Sequence, residues 1–582
     1  MRTGRRIGLG ATAAVALLAA TAATNAANQI DERDTALAVR AAKPGSIPET
    51  GYGRYLAGRA AKVEGDVTAA ADFLGRALDT DPNNEALIRE AFTALLAGGR
   101  IEQALKLADI VLKAEPRSPI GNLVVGVAEL KKGDYAKARA AIERSGRQRL
   151  NQLSVPLLIA WAYAGEGQQD AALKEVATLR NKAFAGFQTF HRGLISDLAG
   201  KAAEAEAAYR EAAGADAEGG SRMNEALGNF LERRGRRDDA IALYKAGLAR
   251  DPGNVLYSSL LAAASDGAPR KALIADAREG ASEALFGVGS ALVQEGSLET
   301  AMIYVRLAIY LRPTHLLAQT VVGNVLEANQ RWDAAIAEYK RVDLKSPYGW
   351  NARLRVAASL QRLEKYDDAA GILKGMADER KDRVDSVIAL GDLHRGRENW
   401  KDAIAQYDAA EQRLGKLQIS DWTLLYARGI ALERSKQWER AEADFLKALE
   451  LQPDQPLVLN YLGYSWVEQG RKLDEARRMI ERAVNLRPRD GYIVDSLGWV
   501  LYRLGDYPGA VKQLERAIEL RPEDPVINDH LGDAYWRVGR ENEARFQWNR
   551  TLSFKPEKDQ IPLIEKKIKE GPPPAQPLKR GG

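Results

Sequence analysis

The sequence predicts an all-α chain, a right-handed α-solenoid superhelix built from about fifteen helix-turn-helix repeats. Two observations carry that expectation. Glycines recur on a 34–35-residue beat, most plainly at Gly463, Gly498 and Gly532, and each is followed at fixed offsets by alanines, a large apolar residue and a proline. A third is negative: no stretch shows the period-two alternation of a half-buried strand.

The stretch Leu457–Pro556 gives the unit its shape. Leu462-Gly463 is followed by Ala476, Ala483 and Pro488; Leu497-Gly498 by Ala510, Leu514, Ala517 and Pro522; Leu531-Gly532 by Ala544, Trp548 and Pro556. A glycine inside a helix costs about 1 kcal/mol against alanine, so its repeated use predicts a second helix approaching closely. Ala476/Ala483 and Ala510/Ala517 lie seven apart on one face of that second helix, and the expectation is that small residues meet small residues there. Proline cannot continue a helix interior, so Pro488, Pro522 and Pro556 end the unit.

In chain order, Arg2, Arg5 and Arg6 precede the apolar run Ile7–Ala23 and a small-residue site at Thr24-Asn25-Ala26. This is the pattern of a signal peptide at 1–27 cleaved near residue 26, hence an exported, periplasmic chain. Residues 28–50, with Pro44 and Pro48, read as a linker. A first array follows at 51–281, with ladder glycines Gly58, Gly126, Gly193 and Gly228 and with Phe92 and Ala160 in glycine's place. Its last unit, 255–281, is degenerate. The second array, 282–558, carries Gly289, Gly323, Gly391, Gly429, Gly463, Gly498 and Gly532, with Ala357 in glycine's place and a four-residue excess near Leu414–Ser420. Gly65-Asp66, Gly133-Asp134 and Gly505-Asp506 fit a helix-ending glycine followed by an N-cap. Glu557–Glu570 reads as a capping helix, and 559–582 as a whole as that helix with a disordered Pro/Gly tail.

This pattern resembles the tetratricopeptide repeat over about 51–558. The finer match, Asn460-Tyr461-Leu462-Gly463-Tyr464 and Asp495–Gly505, is similar to the C-terminal repeats of exported bacterial tetratricopeptide adaptors, among them the lipoprotein class that serves a carboxyl-terminal processing protease. The resemblance implies a periplasmic scaffold whose partner is a protease or a cell-wall enzyme. The chain has no cysteine, so it lacks the lipid-anchoring residue of that class.

Composition narrows the alternatives. With 84 basic and 79 acidic residues the net charge is +5, three of those charges being Arg2, Arg5 and Arg6. That is too little for a nucleic-acid partner. No cysteine means no disulfide or thiolate metal site. The four histidines, His191, His315, His394 and His530, fall in different repeats, so no metal site, cofactor or catalytic residue is expected and the chain does not read as an enzyme. The run Arg233–Arg237 is flanked by Glu232, Asp238 and Asp239 and reads as a solvated turn, as do Arg144, Arg147 and Arg149.

In a superhelix of hairpins the first helix of each unit lines the concave surface. Residues three before, one after and four after the ladder glycine face it. Applied here, this gives Tyr426, Ile430, Asn460, Tyr464, Asp495, Trp499, Tyr502, Asp529, Asp533 and Trp536 as partner-binding residues. Large rings among repeated polar groups suit a peptide. The alternative is an accessory protein of polysaccharide synthesis or export, its rings stacking on sugars. Trp466, Tyr535 and Trp548 fall on packing positions and are assigned to the core.

Overall fold

The computed structural model describes residues 50–148, 151–215, 220–251, 254–267 and 269–574. The expected export segment, linker residues 28–49, Arg149 and tail residues 575–582 lie outside the described residues. By its contacts the chain forms two compact units divided at 369/370.

Unit 1 contains α1 (Gly51–Val63), α2 (Val67–Ala77), α3 (Glu85–Ala97), α4 (Ile101–Ala114), α5 (Pro119–Lys132), α6 (Tyr135–Arg144), α7 (Asn151–Gly165), α8 (Gln169–Val176), α9 (Ala185–Leu198), α10 (Ala202–Ala215), α11 (Gly220–Arg233), α12 (Arg237–Arg250), α13 (Val255–Ser265), α14 (Ala277–Gln294), α15 (Leu298–Leu311), α16 (Leu316–Ala328), α17 (Trp332–Tyr339) and α18 (Gly349–Arg362). The division falls within α19 (Tyr366–Glu379). Unit 2 contains α20 (Asp385–Gly396), α21 (Trp400–Leu414), α22 (Trp422–Arg434), α23 (Trp438–Leu451), α24 (Pro456–Glu468), α25 (Leu473–Leu486), α26 (Gly491–Arg503), α27 (Tyr507–Leu520), α28 (Pro525–Arg537), α29 (Glu541–Ser553) and α30 (Ile561–Glu570). Among the described residues there is no strand. The fold is an all-α solenoid of helix-turn-helix repeats, and the strongest helix contacts join the two helices of one hairpin.

What locks each hairpin is a notch and a knob. A Cβ placed on Gly58 would lie 2.6 Å from Leu74, on Gly429 2.6 Å from Phe445, and on Gly498 2.5 Å from Leu514. The residue that fills the notch stands sixteen positions on, or seventeen at Gly463, where it is Ile480; at Gly193, Gly228, Gly323 and Gly391 it is a tyrosine, at Gly532 Trp548. This corrects the expected contact of small with small. The alanines let the second backbone approach, so that the Ala476 carbonyl lies 2.9 Å from a Cβ on Gly463, but the glycine itself receives a large side chain. At Phe92 the sizes are exchanged, with Ala108 sixteen positions on, whereas Ala160 and Ala357 keep the order, with Val176 and Leu373; all six are buried.

The turns follow from local chemistry. Gly133 and Gly505 take φ of 82° and 84°, a left-handed conformation that costs a side-chain-bearing residue more. Asp66, Asp134 and Asp506 then accept hydrogen bonds from the amides of Ala69, Lys137 and Gly509 at 2.9, 3.1 and 3.0 Å. The excess near Leu414–Ser420 is absorbed between repeats, by Gly415 and a short 3-10 turn at Ile419–Asp421. Trp466, Tyr535 and Trp548 are buried.

The degenerate unit at 255–281 reduces to the single helix α13, with no helix among the described residues of 266–276. The chain then enters the long α14, which crosses the expected array boundary at 281/282. Instead of extending the row, α14 packs on α7 and α9, and α15 packs on α3 and α5. These four are first helices, so the hairpin covers the face that a partner would otherwise use. Val127, Leu130, Leu157, Trp161 and Leu194, all at the concave-facing positions, are buried.

Polar ties hold this insertion in place. A Cβ on Gly280 would overlap the Trp161 indole, whose Nε1 donates to His191 Nδ1 at 3.0 Å. The Tyr304 hydroxyl lies 3.3 Å from Asn151 Oδ1 and 3.3 Å from Ser154 Oγ. Arg222 reaches the buried Glu283 at 2.6 and 2.8 Å and Glu225 at 2.7 Å. Burial alone would raise Glu283, but Arg222 and His315 hold it well below the carboxylate range. The Arg-rich turn is paired as expected: Arg236 with Asp239 and Glu206, Arg233 with Asp197.

The exchange at Phe92/Ala108 gives a test. Gly498→Phe should destabilise the chain by about 1–3 kcal/mol through overpacking. Adding Leu514→Ala, which alone costs about 2–5 kcal/mol, should recover stability rather than lose more, as residues in contact couple. Equilibrium unfolding of the two single variants and the double variant measures the coupling; additive losses would contradict the notch and knob.

Candidate partner-binding face of unit 2

Among the described residues of unit 2 the main helix contacts run between successive helices and between successive first helices, with no inserted hairpin of that unit over α22, α24 and α26. The face of α22, α24, α26 and α28 carries all ten residues marked by the sequence, but it treats them differently.

Tyr426 belongs to an aromatic cluster, with ring centroids 6.2 Å from Trp422 and Phe445 and 6.0 Å from Tyr461. Ile430 is half-buried beside it. Asn460 is half-buried, and its Oδ1 is enclosed without a hydrogen-bond partner. Tyr464 is half-buried, and burial, with Glu468 and Asp495 nearby, pushes its phenol up.

The strongest grouping lies on α26. The Trp499 indole stacks on Tyr502 at 4.9 Å and 10°, and on His530 at 4.1 Å and 17°. Its Nε1 donates to Glu468 at 2.9 Å, and Arg503 donates to the same carboxylate oxygen at 2.5 Å. His530 Nδ1 lies 2.9 and 3.2 Å from the oxygens of the buried Asp495. Arg537 Nε donates to the Tyr502 hydroxyl at 3.2 Å. Burial works against the charge of His530, but Asp495, with Asp529 and Asp533 behind it, outweighs burial and raises the imidazole above its usual range. The rings are therefore half-buried stacks between repeats, with their edges on the surface.

Asp529, Asp533 and Trp536 are covered by the chain itself. Lys567 of α30 lies 2.8 Å from Asp529 and 2.9 Å from Asp533. Asp533 also accepts from Trp548 Nε1 at 3.1 Å, and Gly571 rests on the Trp536 ring. Burial raises the Asp533 carboxyl, against Lys567.

Glu468, Arg503, His530, Arg537 and Lys567 were not among the marked residues. Their signal is the repeat length itself. Glu468 and Arg503, Asp495 and His530, and Tyr502 and Arg537 each stand 35 apart; the first pair holds one position in successive repeats, and in the other two the partner stands one residue past it, because Gly498 and Gly532 are 34 apart. This pairing also neutralises the carboxylates of the face. Among the described residues no group of three or more His, Cys, Asp or Glu is placed to hold a metal ion.

Models of the tetratricopeptide repeat match residues 89–148, 225–256, 282–315 and 422–455, and a TPR repeat model matches 498–539. These are tetratricopeptide repeats. The chain is 28% identical over 189 residues to the TPR repeat-containing protein PA4667 of Pseudomonas aeruginosa; the match covers 32% of this chain and 30% of that protein, so it spans less than a third of the relative's length. Among solved structures the chain is similar to the crystal structure of the APC/C hetero-tetramer Cut9-Hcn1, with a TM-score of 0.38 and 16% identity, covering 84% of this chain and 96% of that one. It is also similar to a tetratricopeptide repeat protein from Parabacteroides merdae, with a TM-score of 0.32 and 15% identity, covering 50% and 97%. No described helix is long and apolar enough to cross a membrane.

The raised His530 sets a pH dependence. A histidine whose folded value lies above its unfolded one lends stability that is full below about 6.5 and lost as the pH rises through the folded value. Protection of α28 against hydrogen exchange should therefore fall between pH 6 and pH 9, and His530→Gln should flatten that fall; equal slopes would contradict it.

Proposed function

We propose that this chain is an exported scaffold of the bacterial cell envelope that holds a polypeptide partner on the first-helix face of unit 2, around Asn460, Tyr464, Asp495, Trp499 and Tyr502. One observation supports the reading: the same face in unit 1 is filled by α14 and α15, while among the described residues of unit 2 no hairpin of that unit covers α22, α24 and α26. The half-buried rings of Tyr464, Trp499 and Tyr502 offer apolar contact there. The paired carboxylates favour a partner of mixed charge over a strongly basic one.

Export is supported by the arginines and apolar run of residues 2–23. A periplasmic protease or cell-wall enzyme is the partner class that the adaptor resemblance supports. Stacking on sugars is less well supported, because Trp499 already stacks on Tyr502 and His530.

Tyr464→Ala with Trp499→Ala should reduce capture of an envelope partner at least tenfold, while the far-UV circular dichroism of the chain is kept. Affinity capture from envelope extract, quantified by mass spectrometry against the unmodified chain, measures this. The same proteins captured in the same amounts by both would contradict the site.

A further inference from the structure

The last repeat is closed by a segment unlike any other in the chain. α30 occupies the place of a next first helix but has no second helix behind it among the described residues. It buries one side chain fully, Ile564, with Ile568 packed beside it, whereas α28 buries seven residues. Lys567 sits between Asp529 and Asp533, Gly571 lies on Trp536, and Arg537 donates to the Pro573 carbonyl. The connection to α29 passes through Lys555 with φ of 55°, a left-handed turn that lysine adopts at a cost.

We propose that α30 with Gly571–Pro573 is a displaceable internal ligand of the last repeat, and that the surface beneath it docks a partner segment of the same chemistry. That segment is a short amphipathic helix with an apolar residue, a lysine three positions on, an apolar residue next to it and a Gly-Pro step after its end. Four features of the site define this ligand. Asp529 and Asp533, the latter buried, need a cation whenever Lys567 leaves. The apolar face under Ile564 needs an aliphatic cover. The Trp536 ring accepts a residue without a side chain, and Arg537 awaits a backbone carbonyl. Tethering gives the internal copy a high effective concentration, so a partner engages only when it binds more tightly or when α30 is loosened. The inference rests on the reading that unit 2 takes polypeptide on its first-helix face, and it names the chemistry at one end of that face.

The probe is a fluorescently labelled synthetic segment, Ile561–Pro574, titrated into the full chain by anisotropy. Lys567→Glu and, separately, Ile564→Asp should loosen α30, seen as faster hydrogen exchange over 561–570, and should raise affinity for the segment at least tenfold over the unmodified chain. Adding Asp529→Asn to Ile564→Asp should take that gain away, and a segment carrying glutamate in place of its lysine should not bind. A loosened α30 with no gain in affinity overturns the proposal. So does exchange over 561–570 that is unchanged in both variants, or loss of helix throughout unit 2, since α30 is then an integral part of the fold. A gain in segment affinity in the loosened variants, with no envelope partner captured by the chain, separates failure of the face around α26 from failure here.

Discussion

A side chain seated in a glycine notch sixteen or seventeen residues earlier is the contact on which the rest of this structure depends. It brings two helix backbones close enough to form a hairpin, and it does so with knobs that range in size from Val305 at Gly289 to Trp548 at Gly532. Because notch and knob lie within one repeat, each hairpin is specified locally. Because the seam uses only one side of the first helix, its other side is left for something else to cover.

The two units cover it differently. In unit 1 the chain loses the second helix after α13, turns back, and lays α14 and α15 over α3, α5, α7 and α9. The cover is apolar, with polar ties such as Arg222 to Glu283 and Tyr304 to Asn151 that fix its register. In unit 2 the row continues, so each first helix packs on the helices before and after it, and the rings of α26 and α28 stack half-buried between repeats. The difference is physical: in unit 1 the first helices are covered by an inserted hairpin of the same unit, and among the described residues of unit 2 those of α22, α24 and α26 are not.

Much of this was legible in the sequence, because the beat of Gly463, Gly498 and Gly532 and the caps Asp66, Asp134 and Asp506 depend on neighbours in the chain. The closure of unit 1 was harder to read, since it joins Tyr310 to Glu102 and Tyr304 to Asn151 across long stretches of sequence. Its signal was nevertheless present. The stretch Leu153–Trp161 is apolar almost all round, and a helix apolar all round is covered on both sides. Glu468 with Arg503 follows from the 35-residue spacing of Gly463 and Gly498 once first helices are known to touch, whereas Asp495 with His530 does not, because His530 stands one residue past the counterpart of Asp495. The seating of Lys567 was not legible, because it depends on how the chain turns after Phe554.

The chain has no cysteine, so single cysteines report on one position at a time. Val127 and Ile430 each stand one residue after a ladder glycine, in the same register of a first helix, Val127 beneath the inserted hairpin of unit 1 and Ile430 on the open face of unit 2. The rate of thiol labelling of Val127→Cys and Ile430→Cys in the folded chain compares the two faces directly. The account predicts that Ile430→Cys reacts readily and Val127→Cys only after unfolding; equal rates in the folded chain would contradict it.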